Sequence, residues 1–173
     1  VNVSTLKDII HKLKVRQHSL ELDITDVGFG ISQILPIIVQ GFLSFDNSLT
    51  MIEQPEIHLH PKMQADLADL FIDIVKNRNK RKSDSMELQK YLLIETHSEY
   101  LLRRLRRRIA EGEISSKDVA IYFLEHPDDG QSGTIINEKT INSNGYFDWP
   151  QDFYAKELLS DTTEFIKQSF RNL

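Results

Sequence analysis

The 173-residue chain contains no cysteine, which excludes a disulfide scaffold, a thiol nucleophile and a cysteine-ligated metal centre. Long hydrophobic runs are also missing. The longest, Ile34 to Val39, is far short of the ~20 apolar residues that cross a bilayer. Val1 to Leu13 mixes Lys7, Asp8, His11 and Lys12 among its apolar residues, so it does not read as a secretory leader. No internal repeat and no low-complexity tract interrupts the chain. With 40% hydrophobic and 27% charged residues, there is enough apolar material for one globular domain with a true core. The expectation is a single cytoplasmic domain spanning residues 1–173, with no membrane contact.

Charge is unevenly spread. The chain holds 21 basic and 26 acidic residues, a formal net charge of −5. Lys76, Arg78, Lys80, Arg81 and Lys82 fall within residues 76–82, and Arg103, Arg104, Arg106, Arg107 and Arg108 within residues 103–108, with no acid in either stretch. The remainder carries 11 basic residues against 26 acids. Two basic surfaces on an acidic body suit a polyanion such as DNA. A solvated loop and a solvated helix face explain the same pattern.

Periodicity supplies the elements. Ser4 can cap a short helix with Leu6, Ile9, Ile10 and Leu13 as its stripe. Leu20, Leu22 and Ile24 alternate with acids as a half-buried strand. Past Gly28 and Gly30, Ile31, Ile34, Leu35, Ile38 and Phe42 recur at helical spacing, with Pro36 expected near the first turn. Leu49 to Ile52 reads as a buried strand ending at Glu53. The next helix starts near Pro61, with Met63, Leu67, Leu70, Phe71 and Ile74 facing inward. Residues 76–87 read as an exposed loop. Tyr91 to Ile94 is a second buried strand, and Ser98 caps a helix striped by Leu101, Leu102, Leu105 and Ile109. Val119 to Leu124 is a third strand, paired as a hairpin with Thr134 to Ile141. An aromatic loop over 142–155 and a helix over 151–171 complete the chain. Strand, helix, strand, helix, strand is an α/β pattern with part of a parallel sheet.

Three stretches carry chemistry. Ser48 to Pro61 reads SLTMIEQPEIHLHP: an apolar strand delivers carboxylates to the C-terminal edge of a sheet, where open α/β sheets bind ligands. An acid there can hold Mg²⁺, a hard cation that takes oxygen ligands. Tyr91 to Ser98, YLLIETHS, ends a strand in a histidine able to bond a phosphate or an attacking water. A structural histidine fits that position as well. Asp26 to Gln33, DVGFGISQ, opens a helix on two glycines, a turn that suits an anion or simply joins a strand to a helix.

In this order, the three stretches resemble the C-terminal lobe of an ABC-type ATPase head. The chain is similar to the SMC-like, stand-alone bacterial ATPases of the predicted AAA ATPase kind, related to the overcoming-lysogenization-defect group. The similarity spans residues 20–160 and includes the WPQDFYAKELL segment. It implies a P-loop fold of the α/β class: a partly parallel sheet flanked by helices, core motifs within 26–98, and an extension over 119–173 ending in a hairpin and helix. It also implies ATP and Mg²⁺ as ligands. By resemblance, Glu53 takes the Walker B magnesium position, Gln54 that of the hydrolytic base, and His97 that of the switch histidine. His58 and His60 fall in the D-loop, which meets a second subunit. Gly28, Gly30, Ser32 and Gln33 correspond to the signature turn facing a partner's γ-phosphate. The family further implies a homodimer of ATP-bound heads, a role in DNA repair or phage defence, and a nuclease partner.

Two departures stand out. Gln54 cannot take a proton as a carboxylate does, so hydrolysis is expected to be slow unless Glu56 substitutes as base. No glycine-rich string ending in Gly-Lys-Ser or Gly-Lys-Thr occurs anywhere in the sequence, so the chain lacks the backbone cradle and lysine for β- and γ-phosphates. The expectation is a C-terminal part of a longer protein whose Walker A lies upstream.

Two other readings compete. One is a metal-dependent hydrolase or nuclease using Glu53, Glu56, His58, His60 and His97, with Glu125, Asp128 and Asp129 resembling a Toprim acid cluster. The other is a nucleotide-binding scaffold with little turnover, motivated by Gln54.

Overall fold

The computed structural model describes residues 2–6, 10–17, 19–24, 26, 28–76, 89–127, 132–150, 163 and 167. The chain divides into two compact units, Val1–Leu102 and Arg103–Leu173.

The first unit opens with three strands, β1 (Asn2–Leu6), β2 (Ile10–Gln17) and β3 (Leu20–Asp23), paired antiparallel in the order β1-β2-β3. The expected helix after Ser4 is therefore a strand pair. Lys12, Lys14 and Arg16 alternate with Leu13 and Val15, and this period of two outweighs the helical spacing of the leucines and isoleucines. Arg16 lies opposite Glu21 in the β2–β3 register and bonds its carboxylate at 3.1 Å.

Helix α1 (Phe29–Leu43) follows, with Pro36 inside it rather than in its first turn. The helix runs on because its apolar stripe continues past the proline, which merely withholds an N–H from the Ser32 carbonyl. Its C-terminal end is closed by a buried cation. The Lys90 ammonium, 4% exposed, donates to the carbonyls of Gly41 at 3.1 Å and Phe42 at 2.9 Å. Those are orphan acceptors at the negative end of the helix dipole. Lys90→Met keeps the apolar stem but takes the ammonium donor from the Phe42 carbonyl and leaves the Gly41 carbonyl only the Ser44 hydroxyl, at 2.9 Å. It is expected to cost about 1–3 kcal/mol of unfolding free energy, read as a lower urea midpoint.

The central unit is β4 (Leu49–Glu53), α2 (Pro61–Lys76) and β5 (Tyr91–Glu95), with β4 and β5 parallel and in register from Leu49↔Tyr91 to Glu53↔Glu95. Asn47, at φ 61°, starts the pair by donating from its backbone N–H to Gln89 O at 2.6 Å. The strands are not buried throughout, as expected, but alternate. Ile52 is buried, whereas Leu49, Met51, Tyr91 and Leu93 are exposed on the face that also carries Glu53 and Glu95. Only one face is covered by this unit's own core. Leu67, Ala68, Phe71, Ile72 and Ile74 of α2 are buried there, together with Leu59, Leu101 and Leu102. Gly41 lets α1 approach: the Ile74 side chain occupies the space a Cβ would need.

Helix α3 (Glu99–Ala110) is capped as expected, the Leu101 N–H donating to Ser98 Oγ at 3.2 Å. The division between the units falls within it. In the second unit, a 3-10 turn (Ser116–Asp118) leads to β6 (Ile121–Glu125), which pairs antiparallel with β7 (Ile135–Lys139) as the anticipated hairpin. Ile109, Ile121, Ile141 and Phe147 form its core, with Leu105, Ile114, Val119, Phe123 and Trp149 packed around them. Arg106 lies over the Tyr146, Phe147 and Trp149 rings at 6.0, 5.5 and 5.6 Å. Its Nε donates to Gly145 O at 2.7 Å. The exposed loop expected over 76–87 lies outside the described residues beyond Lys76, as does the helix over 151–171 apart from helical Thr163 and Lys167. No helix among the described residues is long and apolar enough to cross a membrane.

Candidate functional site

The parallel register places the ends of β4 and β5 side by side, so two apolar strands deliver Glu53 and Glu95 to one sheet edge. The chain leaves β4 through an unusual backbone. Gln54 and His58 both have positive φ, 43° and 61°, conformations that side-chain-bearing residues seldom adopt outside tight turns and functional loops. Between them run two successive turns, with Ile57 N–H donating to Gln54 O and Leu59 N–H to Glu56 O at 3.3 and 3.0 Å. The Gln54 N–H also donates to Glu95 O at 2.9 Å, one step beyond the ladder. This bond holds Gln54 at the edge.

The polar edge is exposed and connected. Gln54 Nε2 donates to Glu95 Oε1 at 3.3 Å, and His97 Nε2 lies 3.4 Å from the same oxygen. One carboxylate therefore bridges the amide of Gln54 after β4 and the imidazole of His97 after β5. Glu95, which the motifs did not single out, is the residue that links the two strand ends. The available signal was that both strands pair an equal apolar run with a terminal glutamate.

Glu56 behaves differently. It is 8% exposed, and its two oxygens accept from Thr96 Oγ1 at 2.8 Å and from the His97 N–H at 2.6 Å. Ser98 closes the loop, its N–H donating to Thr96 Oγ1 at 3.0 Å and its hydroxyl to Gln64 Oε1 at 2.7 Å. Gln64, also unanticipated, donates onward to Leu59 O at 3.0 Å.

The histidines after the turn separate. His60 stands at the N-terminus of α2: its carbonyl accepts from Met63 and Gln64 N–H, and Nδ1 accepts from Lys62 N–H at 3.3 Å. Pro61 then occupies the first helical position, where its missing N–H costs nothing. His58 is exposed on the turn. Among the described residues, no three His, Asp or Glu side chains come together as a metal-holding group, so the hydrolase reading gains no support from this geometry.

The residues expected to form a signature turn lie at the start of α1. Gly28 is its N-cap and has no side chain to cap with. Gly30 faces the turn after β4: a Cβ there would meet Leu59 Cδ2 at 2.7 Å and His58 O at 3.5 Å. A side chain at this position would have to displace the Leu59 methyl group. Ser32 and Gln33 are half-buried on the helix, and Gln33 Oε1 is a buried acceptor with no partner among the described residues.

Of the basic stretches, residues 77–82 lie outside the described residues. On α3, Arg107 and Arg108 each bond Glu111 at 2.7 Å, and the two guanidiniums hold its carboxyl below the ordinary carboxylate range. With Arg106 committed to the aromatic loop, three of the five arginines serve their own unit.

No curated protein and no solved structure matches the chain. The family model of the AAA ATPase domain matches residues 2–102, which include β4, β5 and every side chain of the edge just described. A mixed α/β unit with a small parallel sheet suits that assignment, and the match covers more than half of the sequence. The chain belongs to the AAA ATPase domain family.

Proposed function

We propose that this chain is the C-terminal part of an SMC-like, ABC-type ATPase head, which binds and hydrolyses ATP once a phosphate-binding loop from another segment completes the site. The observation that carries this reading is the β4–β5 register, which sets Glu53 and Gln54 beside Glu95 and His97 at one sheet edge. An exposed glutamate as the edge donor fits a hard divalent cation. Glu53 is the residue to hold magnesium, which when bound neutralises charge on the phosphates. Gln54 orients the attacking water but cannot accept its proton. His97 donates a hydrogen bond to the terminal phosphate or to the water. The His58 turn faces a second head, and the N-terminal turn of α1, from Gly28 to Gln33, meets the partner's nucleotide. DNA repair or phage defence beside a nuclease is the setting this family likeness supports. The exposed apolar face of Leu49, Met51, Tyr91 and Leu93 favours a further covering layer, since parallel strands are normally buried on both faces.

The amide at Gln54 also favours a second reading, a nucleotide-holding scaffold with slow turnover. Both are tested by phosphate release from the protein joined to its phosphate-binding loop. His97→Ala is expected to lower turnover by about 10²-fold and Gln54→Glu to raise it by about tenfold. Wild-type turnover that is near background and rescued by Gln54→Glu establishes the scaffold. Unchanged kinetics in both variants refute the site assignment.

A further inference from the structure

Glu56 is a buried charge, and a carboxylate is withdrawn from water only when its hydrogen bonds are replaced. Both replacements come from the loop after β5: the Thr96 hydroxyl at 2.8 Å and the His97 N–H at 2.6 Å. These are charge-assisted and short. Their geometry also occupies the carboxylate, so Glu56 is poorly placed to serve as a base.

The bonds continue into a ring. Ser98 N–H donates to Thr96 Oγ1, Ser98 Oγ donates to Gln64 Oε1, and Gln64 Nε2 donates to Leu59 O, at 3.0, 2.7 and 3.0 Å. Leu59 N–H returns to Glu56 O at 3.0 Å. Ile57, 41% exposed, and His58, at φ 61°, project from the turn that this ring encloses. Across the ring, the His97 backbone is held while its imidazole stays 68% exposed beside Glu95.

We propose that Glu56 is a positioning residue that ties the exposed Ile57–His58 turn to His97, so that a contact made on the turn displaces the imidazole at the sheet edge. A buried polar ring has few alternative arrangements, because each broken link leaves an unsatisfied group. Movement of the turn therefore passes to His97 rather than dissipating. The structural half of this inference stands on the bonds alone. Its catalytic consequence rests on the ATPase reading above.

The test has two arms. By NMR on this chain, the His97 amide proton should resonate far downfield and exchange slowly. Glu56→Gln should move it upfield by replacing a charged acceptor with a neutral one. Glu56→Ala should speed its exchange roughly 10- to 100-fold, with α2 amides unchanged as the control for folding. If Glu56→Ala does not fold, Thr96→Val supplies the same readout in weaker form. In the protein carrying the phosphate-binding loop, Glu56→Gln should lower kcat per folded molecule with KM for ATP unchanged, the folded fraction being fixed independently by circular dichroism because unfolding alone also lowers apparent kcat at constant KM. His97 shift and exchange that match wild type in folded variants overturn the proposal. Wild-type kcat in folded Glu56→Gln overturns the coupling. If no ATP is hydrolysed by any variant, the functional reading fails, and the amide arm still decides whether Glu56 holds His97.

Discussion

Glu53→Gln, made in the protein that carries both this chain and a phosphate-binding loop, is expected to cut magnesium-dependent ATP turnover about 10³-fold. The substitution preserves size and leaves a neutral oxygen, so it removes little besides charge. Charge is what a small, hard cation requires of its ligand. The position makes compensation difficult: Gln54 offers only an amide, and Glu56 is buried and engaged with Thr96 and His97. Glu95, directly opposite in the ladder, already takes the Gln54 amide and lies beside His97. Titration of ATP with and without magnesium, alongside phosphate release, separates loss of binding from loss of chemistry. Turnover equal to wild type removes Glu53 from the metal position.

The largest effect on stability is expected in the second unit, at Phe147. Its side chain is 1% exposed and packs with Ile109, Ile121 and Ile141. Its ring centroid lies 4.8 Å from that of Trp149 and 6.3 Å from that of Phe123, with the Arg106 guanidinium 5.5 Å away. Phe147→Ala opens a cavity in a small core and deprives the guanidinium of one of its rings, a loss of about 3–5 kcal/mol. Trp149 is the only tryptophan of the chain, so its fluorescence during urea unfolding reports on this unit directly. A midpoint unchanged by Phe147→Ala contradicts the packing described here.

Much of the sheet edge was legible before the fold. An apolar pentad ending in Glu is a strong strand signal, and two of them bracket the amphipathic α2, which is how a parallel crossover reads in sequence. Glu53, Gln54 and His97 meet at that edge as their motif order implied. Tertiary bonds were less visible. Nothing local distinguishes Glu56, buried at 8% exposure, from exposed Glu53 three residues earlier, because its partners come from the loop after β5. His60, expected in the D-loop by resemblance, also caps α2 through Nδ1. That role was readable from Pro61, which marks a first helical position. The N-terminal error has a similar origin: four leucine or isoleucine positions fit a helix, while alternating cations across β2 fit a strand paired with acidic β3. The pairing partner decided the outcome. The arginines of α3 looked like one basic face, whereas Arg106, Arg107 and Arg108 are drawn to the aromatic loop and to Glu111.

The ATPase reading stands on a site divided between this chain and a phosphate-binding loop that its 173 residues do not contain. The most direct measurement compares phosphate release by the chain alone with release by the protein that joins it to that loop, at fixed ATP with and without magnesium. The joined protein should release phosphate only with magnesium and only with Glu53 and His97 intact, and the chain alone should stay at background. Hydrolysis by the chain alone, or a joined protein indifferent to magnesium and to Glu53, contradicts it.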